Sequence, residues 1–187
     1  MKKNYKLFLI VGLILSTAEN GYATTIHYES SQLGGNRWKY DYSITNDRLA
    51  SNIQEFTISF DYGLYDYGLY DNLTVVSPLT DWSQLVTNPA LVFGVPDNGT
   101  YDALALSLGI APGATMGGFS VSFDWLGAGT PGSQYFEIVD PVSFNTLDSG
   151  HTIPEPSTFM LLSLGLTGLI GIGRLAKKPE RNNRLPN

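Results

Sequence analysis

Arg37-Trp38-Lys39-Tyr40-Asp41-Tyr42-Ser43-Ile44-Thr45 decides the fold class. Its even positions are apolar or aromatic and its odd positions polar. A period of two suits a strand with one face on a core and the other in water. The pattern recurs in Phe56-Thr57-Ile58-Ser59-Phe60 and in Phe119-Ser120-Val121-Ser122-Phe123-Asp124-Trp125. Further strands are predicted at Thr25–Glu29, Leu73–Val76, Leu91–Val95, Ala103–Leu108, Tyr135–Val139 and Ser143–Leu147. Turn signals stand between them at Pro96-Asp97-Asn98-Gly99, Ala111-Pro112-Gly113, Gly127–Gly132 and Asp140-Pro141. Short strands, frequent turns and no helical period before residue 157 predict an all-β domain. An antiparallel β-sandwich, jelly-roll or immunoglobulin-like, is expected, with a barrel as the alternative.

The chain on either side of this domain is of another kind. Lys2, Lys3 and Lys6 precede an apolar stretch, Leu7 to Leu15, and then small residues. That is a secretory signal peptide over residues 1–23, with cleavage expected after Ala23 or, second, after Ala18. At the other end Pro154-Glu155-Pro156-Ser157-Thr158 opens residues 154–187 and leads into an uncharged apolar run, Phe159 to Ile172. The prolines bias the segment to extended backbone, and Ser157 or Thr158 can cap a following helix. A helix over 157–173 would span roughly 25 Å, a short membrane crossing that snorkelling side chains can complete. Arg174, Lys177, Lys178, Arg181 and Arg184 follow, against the single acid Glu180. This basic stop-transfer cluster puts the C-terminal end in the cytoplasm and everything before Pro154 outside.

This C-terminal arrangement resembles the PEP-CTERM sorting tail of Gram-negative, exopolysaccharide-producing bacteria. The residues that carry the likeness are Pro154, Glu155, Pro156, the hydroxyl pair Ser157-Thr158, the apolar run and the basic cluster from Arg174. The resemblance implies processing by exosortase, an integral-membrane transpeptidase-like enzyme. It also implies an inner-membrane intermediate and a final place at the cell surface or in the extracellular matrix, with exopolysaccharide or biofilm. A plain membrane anchor, with Pro-Glu-Pro as a linker, is the alternative. The same tail also goes under an ice-binding-protein heading, but no Thr-x-Thr array stands in this chain. Trp38–Asn46, Gly118–Phe123 and Pro131-Gly132-Ser133-Gln134 are similar to stretches of the ectodomains that precede such tails.

Residues 24–153 are one domain's worth of chain, enough to bury about two-thirds of the unfolded surface. The chain has no cysteine, so an exported domain must be held by its core alone. Eleven Asp and three Glu against Arg37, Lys39 and Arg48 give this region a net charge of −11, while the whole chain stands at −6. Such a surface excludes nucleic acid and anionic lipid as partners.

Catalytic chemistry has little to work with. The only histidines, His27 and His151, lie far apart, and no nucleophile elbow, metalloprotease helix or phosphate loop occurs. No enzyme activity and no obligatory cofactor are expected. One tandem repeat stands out: Asp61-Tyr-Gly-Leu-Tyr65 is followed by Asp66-Tyr-Gly-Leu-Tyr70 and then Asp71. A small duplication lengthening a loop accounts for it. The sharper possibilities are calcium on Asp61, Asp66 and Asp71, and sugar stacking on exposed aromatics among Tyr62, Tyr65, Tyr67, Tyr70, Trp82 and Trp125. Two functions are carried forward: a structural or adhesive matrix protein, and a carbohydrate-binding module.

Overall fold

A computed structural model describes residues 24–63 and 69–155. The deciding stretch is strand β2 (Arg37–Thr45), with β1 (Thr25–Gly34) before it; Tyr40, Tyr42 and Ile44 are buried, and the residues between them keep partial contact with solvent. Next come β3 (Glu55–Phe60), β4 (Tyr70–Val75), β5 (Trp82–Thr87), β6 (Ala90–Val92) and β7 (Val95–Asp97). The last are β8 (Gly99–Ala105), β9 (Thr115–Trp125), β10 (Tyr135–Val139), β11 (Thr146–His151) and β12 (Ile153–Pro154). They form two five-stranded sheets, β12-β1-β2-β9-β4 and β11-β10-β3-β8-β5, with β6 and β7 as a separate hairpin. Every pairing is antiparallel except β12 on β1.

Each sheet turns its apolar face inward. The largest fully buried side chains are aromatic, among them Tyr40, Tyr42, Phe56, Phe60, Tyr101, Phe119 and Phe123. Rings join the sheets: Phe56 of β3 meets Phe119 of β9 edge-on at 5.0 Å, and Phe60 meets Tyr70 at 5.1 Å. Such contacts add to the burial of apolar area, which is what replaces disulfides here. Between Tyr42 and Ser43 the β2–β9 register slips by one residue, and Gly118 takes up the slip at φ 95°.

The predicted strands hold with corrections. Leu91–Val95 is not one strand but a hairpin, because Phe93 and Gly94 both take positive φ, 52° and 80°, and reverse the chain. Its return strand also occupies Val95–Asp97, where a turn was expected. Ser143–Leu147 is mostly loop: Asp140 Oδ1 accepts the N–H groups of Val142 and Ser143, at 2.9 and 2.8 Å, and delays β11 to Thr146. The strand predicted at Ala103–Leu108 runs instead from Gly99 to Ala105. The sequence does not predict β5, since Gln84 breaks its apolar alternation; the Tyr101 hydroxyl donates to Gln84 Oε1 at 2.6 Å, while the buried Gln84 Nε2 has no partner among the described residues.

The predicted signal peptide, with Ala18 and Ala23, lies outside the described residues, as does the predicted span 157–173 with Ser157, Arg174, Lys177 and Lys178. Among the described residues no helix is long and apolar enough to cross a membrane. The first described residue, Thr24, is buried, and its backbone N–H donates to Asp148 Oδ2 at 2.6 Å, beside the Arg48–Asp148 ion pair at 2.9 Å.

Candidate sorting site at the sheet edge

β12 brings the start of the Pro-Glu-Pro stretch onto the sandwich. Ile153 pairs with His27 and Pro154 with Tyr28, and the Glu155 N–H donates to the Tyr28 carbonyl at 2.9 Å. The sequence predicts an extended segment; it is extended, and it is also in register with β1. Proline is tolerated because β12 is an edge strand, so its missing N–H costs no bond within the sheet. Pro154 and Glu155 remain exposed, and Pro156 lies outside the described residues. Strand pairing therefore continues past Ile153, as far as the Glu155 N–H.

A buried amide fixes the approach to this strand. Gln134 and Thr152 are both buried; the Thr152 N–H donates to the Gln134 carbonyl at 2.8 Å, and the Gln134 N–H donates to Thr152 Oγ1 at 2.9 Å. The Gln134 side chain receives the Tyr42 hydroxyl proton on Oε1 at 3.2 Å and donates from Nε2 to the Tyr40 hydroxyl at 2.9 Å. It also donates to the Gly132 carbonyl, to which Tyr40 itself donates at 2.7 Å. Burial first, and neighbouring phenols second, push Tyr40 and Tyr42 well above the ordinary tyrosine range, so both stay protonated donors. Sequence reasoning missed Gln134 as the residue that holds the motif's approach. The one signal was its place at the end of Pro131-Gly132-Ser133-Gln134.

The expected ligand residues are scattered by the fold. Tyr62, Tyr70 and Trp82 are buried, at 5–6% exposure, which corrects their assignment as exposed stacking platforms. Tyr70 packs on Phe60 and Phe123, and Trp82 on Phe119. Trp125 is half-buried, against Tyr70, with its indole N–H donating to Gly129 O at 3.0 Å. Tyr65, Tyr67 and Asp66 lie outside the described residues. Asp61 accepts the Gly63 N–H at 2.9 Å and Asp71 the Asn72 N–H at 2.7 Å, which is the work of turn residues. Among the described residues no three His, Asp or Glu side chains converge as a metal site.

One concave, polar region does form beside the sorting strand. A cleft of about 280 Å³ is lined by Ser59, Asp61, Asn98, Ser133, Tyr135 and His151, among others. Tyr135 stands at 39% exposure, edge-on to His151 at 5.6 Å, with its hydroxyl donating to Glu137 Oε1 at 3.0 Å.

No curated protein matches the chain. Among solved structures, the solution structure of the chitin-binding domain of Chi18aC from Streptomyces coelicolor is similar at 18% identity, over 62% of this chain and 90% of that one. Its TM-score is 0.39. The family comparison bears instead on the edge strand and the chain beyond it. Residues 152–178 match the PEP-CTERM protein-sorting motif, and the chain carries that motif directly from the buried Thr152 of the sandwich.

Proposed function

We propose that this chain is an exported substrate of exosortase. It is carried out by its signal peptide, held in the inner membrane by the apolar run, cut at Pro154-Glu155-Pro156, and delivered to the cell surface or matrix as a structural or adhesive component. The observation that carries the proposal is the motif match at residues 152–178, joined without a linker to a folded β-domain. An extended backbone at the motif favours cleavage, because a protease takes its substrate as a strand rather than a helix. Glu155 offers one charge for a basic group of the enzyme to select.

Two variants separate charge from conformation. Glu155→Ala keeps both prolines and the backbone N–H that bonds Tyr28. Replacing Pro154 and Pro156 together by alanine keeps the charge and lifts the bias against helix. In a host with the enzyme, each should leave a longer, membrane-bound form, seen by mass and fractionation. In a host without it, wild type and variants should behave alike. Release of both variants at the wild-type rate would leave Pro-Glu-Pro as a linker and the tail as a plain anchor.

The cleft at Tyr135 favours a second, compatible reading, that the domain binds polysaccharide. Hydroxyl, amide and carboxylate groups converge there beside a half-exposed ring, the mixture that sugar hydroxyls and their apolar faces require. Tyr135→Ala should weaken retention of the processed protein on matrix polysaccharide about tenfold, the loss expected from half an aromatic face. Unchanged retention, measured by affinity electrophoresis, would exclude this cleft.

A further inference from the structure

The β6–β7 hairpin puts its least water-compatible side chains where water reaches them most. Phe93 is fully exposed, and Leu91, Val92 and Val95 stand at 51, 45 and 64%. From Asn88 to Pro96 the segment has no charged residue, and Pro89 and Pro96 stiffen its two arms. Gly94 suits its positive φ, but Phe93 occupies the left-handed region at φ 52°, where glycine or asparagine would sit without strain. Four apolar side chains held out on one stiff hairpin form a contact surface rather than a loop.

Two geometric facts say what it meets. β12 runs parallel to β1, from the Thr25 end of the sandwich toward the Gly34 end. The registers of β2 on β9, β9 on β4 and β3 on β8, with the Phe60–Tyr70 ring contact between the sheets, bring the β6–β7 hairpin to that same end. The chain thus leaves Glu155 heading for the end that bears the hairpin. The uncharged apolar run begins only four residues on, at Phe159, which places its start within about 14 Å of Glu155.

We infer that the β6–β7 hairpin inserts into the outer face of the same bilayer that takes the apolar run, so that the uncut domain stands on a lipid surface at two points. The inference rests on the membrane-held intermediate proposed above. It also accounts for an acidic domain lying against lipid: the short tether supplies the proximity, and the contact is made by an uncharged element that needs no headgroup charge.

The test uses the absence of cysteine, which makes any introduced cysteine a unique labelling position. Full-length protein carrying Val95→Cys, beside the hairpin tip, or Val142→Cys is labelled with an environment-sensitive fluorophore. Val142 is exposed in the β10–β11 loop at the opposite end of the sandwich. Each protein is reconstituted into phosphatidylcholine vesicles with and without a nitroxide-bearing lipid. The label at 95 should shift to the blue and lose most of its emission to the nitroxide, and the label at 142 should do neither. Adding Phe93→Asp should return the label at 95 to its aqueous spectrum; persistence of the shift would mean that the label inserts itself, and would overturn the inference. An aqueous label at 95 in protein that resists alkaline extraction would overturn it and leave the anchored intermediate standing. Protein stripped by alkali would overturn both. A blue shift that disappears on dilution of protein in lipid would assign the hairpin to a second copy of the chain, not to the bilayer.

Discussion

Phe56→Ala should lower the unfolding free energy by about 3–5 kcal/mol, the cost of deleting a fully buried ring. Phe56 has no exposed surface and meets Phe119 at 5.0 Å, Trp82 at 5.9 Å and Tyr101 at 6.0 Å. Two of those partners belong to its own sheet, and Phe119 belongs to the opposite one, so the ring is part of the bond between layers. The space left would be walled by stiff aromatic side chains that collapse poorly, which puts the cost toward the upper end. For a domain of this size the melting temperature should fall by roughly 10–20 °C. Thermal unfolding followed by near-ultraviolet circular dichroism reads it directly; a fall of a few degrees would mean that the sheets close over the gap.

Gly109→Ala should cost nearly as much, roughly 4 kcal/mol, for a different reason. Gly109 has φ 72°, and a Cβ built there would lie 2.1 Å from the Ile53 carbonyl oxygen. Just there the chain makes a bridge: the Ile53 N–H donates to Ile110 O and the Ile110 N–H to Ile53 O, both at 2.9 Å, with both side chains buried. The methyl group must push the strands apart and break both bonds in addition to straining φ. Gly35 is the control, because it has φ 57° with nothing within 4 Å of a new Cβ. Gly35→Ala should cost only the backbone strain, about 1 kcal/mol. Equal losses at the two positions, by urea denaturation, would show that φ alone decides and that the bridge is unimportant.

Uninterrupted alternation makes β2, β3 and β9 legible in the sequence, whereas β10, Tyr135-Phe136-Glu137-Ile138-Val139, is legible from its aromatic and β-branched residues. β2 and β10 fall at their predicted residues, and β3 and β9 begin before the predicted runs. Alternation cannot say which face is inner when polar groups are tolerated inside, as at Gln84, nor where a short apolar run folds back on itself, as at Phe93-Gly94. The aromatic candidates failed for a related reason. Tyr70 and Trp82 each begin a strand, and a side chain's direction at a strand's first residue depends on partners distant in sequence, Trp125 and Ala105 here. The sorting motif could be read because its chemistry is local: two prolines, an acid, an apolar run and a basic cluster in fixed order. Its place on the edge of β1 could not, because a two-residue parallel strand has no period of its own.

The burial of Thr24 would give removal of the proposed leader a mechanical meaning. In the precursor, the nitrogen bonded to Asp148 is a neutral amide with 23 residues still attached. A cut after Ala23, as proposed above, would turn it into an ammonium group at the same carboxylate, a charged donor in place of a neutral one, set against the cost of burying a second cation beside Arg48. On that route the charged clamp on Asp148 would form only after translocation. A chain that must be threaded unfolded through a secretion channel would gain its last clamp only on the far side.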